Sequence, residues 1–133
     1  MKVKMKNGEF VELFNGLTAV QQLKGVKFGL LVSKNIRVIQ EELKDIEEAS
    51  KPSEEFLELS QKMQVLMNKK DDEAIAKLEK ENKELVDARK EQLAEIDKLL
   101  LEETEIELHG ISEDCLPKDI TGEQIINIDK IIE

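Results

Sequence analysis

Apolar positions along this chain recur with two different periods. Residues 2–6, KVKMK, alternate: Val3 and Met5 fall on one side, and Lys2, Lys4 and Lys6 on the other. This is the pattern of a half-buried strand. Asn7-Gly8 follows, a two-residue hairpin signal because both turn positions favour positive φ. EFVEL, residues 9–13, is therefore expected to return as a second strand, with Glu9 opposite Lys6 and Phe10 opposite Met5. Asn15-Gly16 should end that strand, and Asn15 should cap a short helix over residues 17–23, which Gly25 breaks. Period two returns in TEIELH, residues 104–109, where Ile106 and Leu108 share one face and Glu105, Glu107 and His109 the other. A lysine-faced strand and a glutamate-faced strand complement each other. Pairing them sets Lys against Glu in water and Val3 and Met5 beside Ile106 and Leu108 in the core.

Between these strands the period is helical. A long helix is expected from Val26 to about Ala49, with Val32, Ile36, Ile39, Leu43 and Ile46 spaced 4, 3, 4, 3 as a heptad seam. Phe28 and Leu31 extend the seam backwards. Pro52 removes an N–H and disfavours helix at Lys51, so KPSEEF marks a kink or short break with Pro52 or Ser53 in the next first turn. Phe56, Leu59, Met63 and Leu66 resume the seam. NKKDD, residues 68–72, is the polar turn, with Asn68 or Asp71 as cap. The next helix should cover residues 72–101 with the stripe Ile75, Leu78, Leu85, Val86, Leu93, Ile96 and Leu100, a rod of about 45 Å. At the C-terminal end, Thr121 and Gln124 have capping-box spacing, and Ile120 and Ile125 that of a hydrophobic staple. They open a helix over residues 122–132 whose Ile125, Ile128 and Ile132 close the core.

The fold class expected is mainly α with a small β element (α+β), as a single domain over residues 1–133. A compact head, 1–25 and 104–133, holds two or three short strands and short terminal helices. A long antiparallel helical hairpin, 26–103, forms a coiled-coil-like stalk.

Composition narrows the function classes. Charged residues make up 38% of the chain and apolar ones 40%, which suits long helices with one buried stripe rather than disorder. The net charge of −10 repels phosphate backbones. A nucleic-acid binder would need a segregated basic face, and none is evident; there is no Trp or Tyr, and Arg37 and Arg89 are the only arginines. The lysines of residues 2–6 are accordingly read as a strand face, not as a nucleic-acid arm. A single cysteine, Cys115, forms no intramolecular disulfide and fits a reducing compartment. The first residues lack the apolar run of a signal peptide, and no stretch of about twenty apolar residues marks a membrane span.

Candidate chemistry is sparse. His109 is the only histidine and falls on the solvent side of its strand; Cys115, in SEDCLPKD, is a lone loop thiol. Neither has a partner motif, so no catalytic residue is assigned. Glu107 is two residues from His109, not the three of a helical metal pair, and DDEAIAKLEKE lacks the glycine and alternating ligands of a calcium loop. Asp71, Asp72 and Glu73 instead suit a helix N-terminus. No glycine-rich phosphate loop occurs. No metal and no cofactor is expected. Asn35 borders the buried stripe: a polar residue there can fix register or oligomeric state, but a solvated position at the edge is the simpler expectation.

Three segments carry a resemblance: NGEFVELFNGLTAVQQLKGVKFGLLVSKN, EELKDIEEASKPSEEF and EIELHGISEDCLPKDITGEQIINIDKIIE. They resemble a family of small proteins of tailed phages and prophages of Gram-positive bacteria. That family has no assigned activity, so no functional residue carries over; the resemblance implies a viral protein of the host cytoplasm or the virion. The expectation is a non-enzymatic protein acting through protein–protein contacts, as an assembly factor, minor virion component or adaptor. Its partner would be a phage or host protein, and long helices with a narrow stripe favour a homo-oligomer as well. The alternative is a small acidic inhibitor of a host defence or nucleic-acid enzyme. A nucleotide sponge and a hydrolase rank below both.

Overall fold

A computed structural model describes all 133 residues, which divide into two compact units: residues 1–45 with 99–133, and residues 46–98. The helix that starts at Val26 thus packs with the terminal segments rather than with the central helices.

The terminal unit is built on a two-stranded antiparallel sheet of β1 (Lys2–Lys6) and β2 (Glu103–Glu107). Its register sets Lys2, Lys4 and Lys6 opposite Glu107, Glu105 and Glu103, and Val3 opposite Ile106. Met5 and Ile106 are buried on the other face. The matched lysine and glutamate faces are as the alternation predicts. The ion pairs Lys2–Glu105 (4.0 Å) and Lys4–Glu103 (3.7 Å) run diagonally in water, so they select register more than they stabilise.

Asn7-Gly8 does not turn. Both residues open α1 (Asn7–Val20), a continuous helix that replaces the expected return strand, the Asn15 cap and the separate helix over 17–23. Two causes outweigh the hairpin signal. Phe10, Leu13, Leu17 and Val20, all buried, are spaced 3, 4, 3, which is a helical face. The strand's partner is also β2, which leaves Asn7 to tie the junction down. Its backbone N–H donates to Glu102 O (2.9 Å), its Nδ2 to Leu99 O (2.8 Å), and its Oδ1 accepts from Thr104 Oγ1 (2.7 Å).

α2 (Val26–Glu42) begins after Gly25, whose φ of 134° few other residues tolerate. It buries Phe28, Val32, Asn35 and Ile39. It breaks at Leu43 (φ −95°, ψ 3°) before α3 (Lys44–Ser50), so the helix expected to reach Ala49 is two pieces. At the other end of the chain, Thr121 and Gln124 form the predicted reciprocal capping box on α7 (Gly122–Ile128). A 3₁₀ turn, Asp129–Ile131, finishes the segment. Ile128 and Ile131 are buried, whereas Ile125 and Ile132 are half-buried, because that change of pitch rotates the inward face by a residue. Gly16 of α1 lies against α7: a Cβ there would sit 2.8 Å from Asn127 O. Ile111 completes the core, with its N–H donating to Ile131 O (2.8 Å) and its carbonyl accepting from Glu133 N (2.8 Å).

The helical unit holds α4 (Glu54–Asn68), α5 (Asp72–Glu81) and most of α6 (Lys83–Leu101). Pro52 lies in a true break, and Ser53 is the N-cap, its Oγ accepting from Phe56 N (3.1 Å). After the turn, Asp71 rather than Asn68 caps α5, accepting from Ala74 N (3.2 Å). Asn82 (φ −113°, ψ 26°) divides the single helix expected over 72–101. Its Nδ2 turns back to Leu78 O (2.9 Å), a local bond that competes with helix continuation.

Candidate interaction surface

Only Leu59 and Ile96 are buried in the helical unit. Phe56, Met63, Leu66, Ile75, Leu78, Leu85 and Val86 of the expected stripe are half-buried, and Leu93 is 43% exposed. What fixes these helices is partly polar. α3 stops at Ser50, and Pro52 supplies no N–H, so the carbonyls of Ala49, Ser50 and Lys51 need outside donors. α6 provides them. The Arg89 guanidinium donates to Ser50 O (2.7 Å) and to Gln92 Oε1 (2.8 Å). Gln92 Nε2 donates to Ala49 O (2.6 Å) and Lys51 O (2.8 Å). Arg89 also lies 5.7 Å from the Phe56 ring centroid, over its face. Composition marks Arg89 only as a rare arginine; its work is to brace the Pro52 break and hold Phe56.

Phe56 leads a groove of about 340 Å³. Phe56, Ser60, Met63 and Met67, spaced 4, 3, 4, line its α4 side together with Leu59 and Gln64; Val86 and the single charge of Glu79 line the other. A methionine-bearing groove with a single charge suits an apolar helix face, because methionine adapts to varied shapes. A second groove differs in kind: Glu55, Glu58 and Lys62 face Lys80, Glu81, Lys83 and Glu84. Its mixed signs suit solvent.

The residues weighed for chemistry are not brought together. His109 is exposed, while Cys115 ends a 3₁₀ turn, Glu113–Cys115, and packs half-buried against the core. Glu107 stands opposite Lys2. No three His, Cys, Asp or Glu side chains gather in a way that could hold a metal ion. Asn35 departs from expectation: it is fully buried rather than solvated. Its Oδ1 accepts from His109 N (2.7 Å) and its Nδ2 donates to His109 O (2.8 Å). The side-chain amide thus replaces a strand neighbour for the backbone just beyond β2. Nothing local in the sequence announces the Asn7 tie; for Asn35 the sequence shows a polar residue at the buried stripe but not its partner. The signal available was a polar residue in phase with an apolar stripe, as Asn35 is between Val32 and Ile39. A segregated basic face, not evident in the sequence, does exist on α2, where Lys27, Lys34 and Arg37 are all exposed.

No helix is long and apolar enough to cross a membrane. No protein-family model matches the chain, and no curated protein or solved structure matches it.

Proposed function

We propose that this chain is a non-enzymatic protein of a phage or prophage that works through protein–protein contacts made by its helical unit, with a second copy of itself as one partner. The observation that carries this reading is that residues 46–98 leave their apolar stripe half-open, with only Leu59 and Ile96 buried. Covering the rest of a half-buried Leu, Met or Phe side chain adds roughly half of the 1.5–3 kcal/mol that its full burial is worth. A pair of such units completes a bundle core that one unit lacks. The resemblance of residues 7–35, 41–56 and 105–133 to small phage proteins supports the viral source. A small acidic inhibitor remains the alternative, but the sheet face, with Lys2, Lys4 and Lys6 against Glu103, Glu105 and Glu107, does not imitate a phosphate backbone.

Sedimentation equilibrium tests the self-contact. The full chain should exceed its 15.2 kDa monomer mass at micromolar concentrations, and Met63→Glu in the groove should return it to monomer. A clean monomer for the unaltered chain removes the second copy as partner. Affinity capture from infected cells then separates virion proteins, which favour an assembly role, from a single host enzyme, which favours the inhibitor.

A further inference from the structure

Residues 13–40 contain no aspartate or glutamate, in a chain that has 30 of them. They do contain Lys24, Lys27, Lys34 and Arg37. With Phe28, Val32, Asn35 and Ile39 turned into the core, the helical period places Lys27, Leu30, Lys34 and Arg37 on the outward stripe of α2. All four cations are exposed, and every ion pair in the molecule lies elsewhere. Two aliphatic side chains stand among them, Val26 at 84% and Leu30 at 57% exposure. An ordinary solvated helix face mixes both signs, as the Lys77–Glu81 and Glu95–Lys98 pairs elsewhere illustrate; exposed aliphatics also occur elsewhere, at Leu101 and Ile126, but none is as bare as Val26.

A separate observation points the same way. Gly29, one turn from Val26 and from Ser33, is inside the helix, and a Cβ there would meet nothing within 4 Å. Glycine at such a position costs about 1 kcal/mol relative to alanine, and neither packing nor a positive φ within the chain calls for it. Gly29 lies on the Val26 and Ser33 flank of the outward face, and a missing Cβ at that flank lets the backbone of another molecule approach closely.

We infer that the outward face of α2 is a docking surface for an acidic amphipathic helix of another protein. The cations form two groups, Lys24 with Lys27 and Lys34 with Arg37, on either side of Leu30. Lys27 and Lys34 are about 10 Å apart along the helix. The matching segment carries carboxylates two turns apart, with small or aliphatic residues between them to cover Leu30 and Val26 and to reach Gly29. Nucleic acid fits less well: the face has one arginine and no exposed aromatic ring for base stacking. A membrane surface fits less well too, because interfacial helices insert several large apolar or aromatic side chains and this face exposes only Val26 and Leu30. A second copy would need roughly 800 Å² per partner for a stable dimer, more than one face of a 17-residue helix offers. The contact belongs to the small, transient class, and it does not depend on the helical unit 46–98.

The test uses the full chain and a synthetic helical peptide with glutamates two turns apart flanking leucine and alanine. The same peptide with lysines in place of the glutamates, a duplex DNA oligonucleotide and phosphatidylglycerol vesicles are the other probes. The acidic peptide should shift the backbone NMR signals of residues 24–37, more weakly as salt rises, and the lysine peptide should not. Lys27→Glu with Lys34→Glu should weaken binding at least about tenfold without lowering the melting temperature. Gly29→Ala should raise the melting temperature and still weaken the peptide, a combination that a purely structural glycine does not produce. Absence of shifts in α2, unchanged affinity in the double variant, or tighter binding of the DNA or the vesicles by these residues overturns the proposal.

Discussion

Replacing Asn35 by leucine isolates the tie between α2 and the segment after β2. Leucine keeps the side-chain size, so the cavity contribution is small, while both hydrogen bonds to His109 are lost (2.7 and 2.8 Å). A buried backbone donor or acceptor left without a partner costs about 1–3 kcal/mol. Two such groups set an upper range of about 2–6 kcal/mol. These bonds are only partly buried, so water relieves some of the loss and the expected destabilisation is about 2–3 kcal/mol. That is a large part of the roughly 5–15 kcal/mol that holds a domain of this kind together. Asn35→Ala should cost more, because it adds a cavity between Val32 and Ile39. Asn35→Asp keeps an acceptor for His109 N but turns a second oxygen towards His109 O. Relative to the unaltered chain it should lose least at acidic pH, where a protonated carboxyl again offers one donor and one acceptor. Urea unfolding followed by far-ultraviolet circular dichroism gives the total, and hydrogen exchange of the His109 amide gives the local effect. If Asn35→Leu stays within about 0.5 kcal/mol of the parent and the His109 amide remains protected, the tie is not what holds this corner, and the reasoning fails.

Gly16→Ala should destabilise the protein although alanine is the better helix former: the new Cβ would sit 2.8 Å from Asn127 O, a backbone atom that cannot swing away. A melting temperature equal to or above the parent's contradicts this. Deleting residues 1–6 removes β1 and uncovers Ile106; the melting temperature should fall by about 6 °C or more, taking the loss as at least about 2 kcal/mol at about 3–5 °C per kcal/mol for a chain of this size, whereas an unchanged melting curve marks the segment as a free arm. The double change His109→Gln with Cys115→Ser should cost at most about 1–2 kcal/mol and leave self-association or peptide binding within a few-fold, because the His109 backbone, not its ring, is what Asn35 holds. A folded double variant that has lost binding would make this corner a site.

The sheet was legible because its two strands carry complementary faces, and charge alternation survives as a signal at any distance along the chain. The capping box at Thr121 and the cap at Asp71 were legible because they are local. The stretch after β1 misleads because Asn7-Gly8 is a strong local turn signal. The periodicity of Phe10, Leu13, Leu17 and Val20 competes with it and prevails through burial in a core that only the whole fold defines. The breaks at Leu43 and Asn82 carry no residue that forbids a helix, so nothing marks them in advance. The basic face of α2 is hidden in the sequence for a related reason. Lys27, Lys34 and Arg37 look scattered among apolar residues until the inward positions Phe28, Val32 and Ile39 fix which side faces out.

The pairing of β1 with β2 also sets an order of events in time. Lys6 lies opposite Glu103, so at about 5–20 residues per second of synthesis the first strand waits some 5–20 seconds for its neighbour to exist. During that interval the entire helical segment emerges, and local helices form far faster than the ribosome moves. α1 meanwhile lacks the covering of Ile106, Leu108 and α7, and Asn7 lacks Leu99, Glu102 and Thr104. A chain that stops short of residue 103 can never close this unit, and stays a target for proteases and chaperones. Once β2 arrives, however, the length of the intervening segment matters little, since doubling a closing loop costs only about 0.6 kcal/mol. The central helices are therefore free to lengthen or shorten, while the terminal unit closes only once residues 103–107 and α7 have been made.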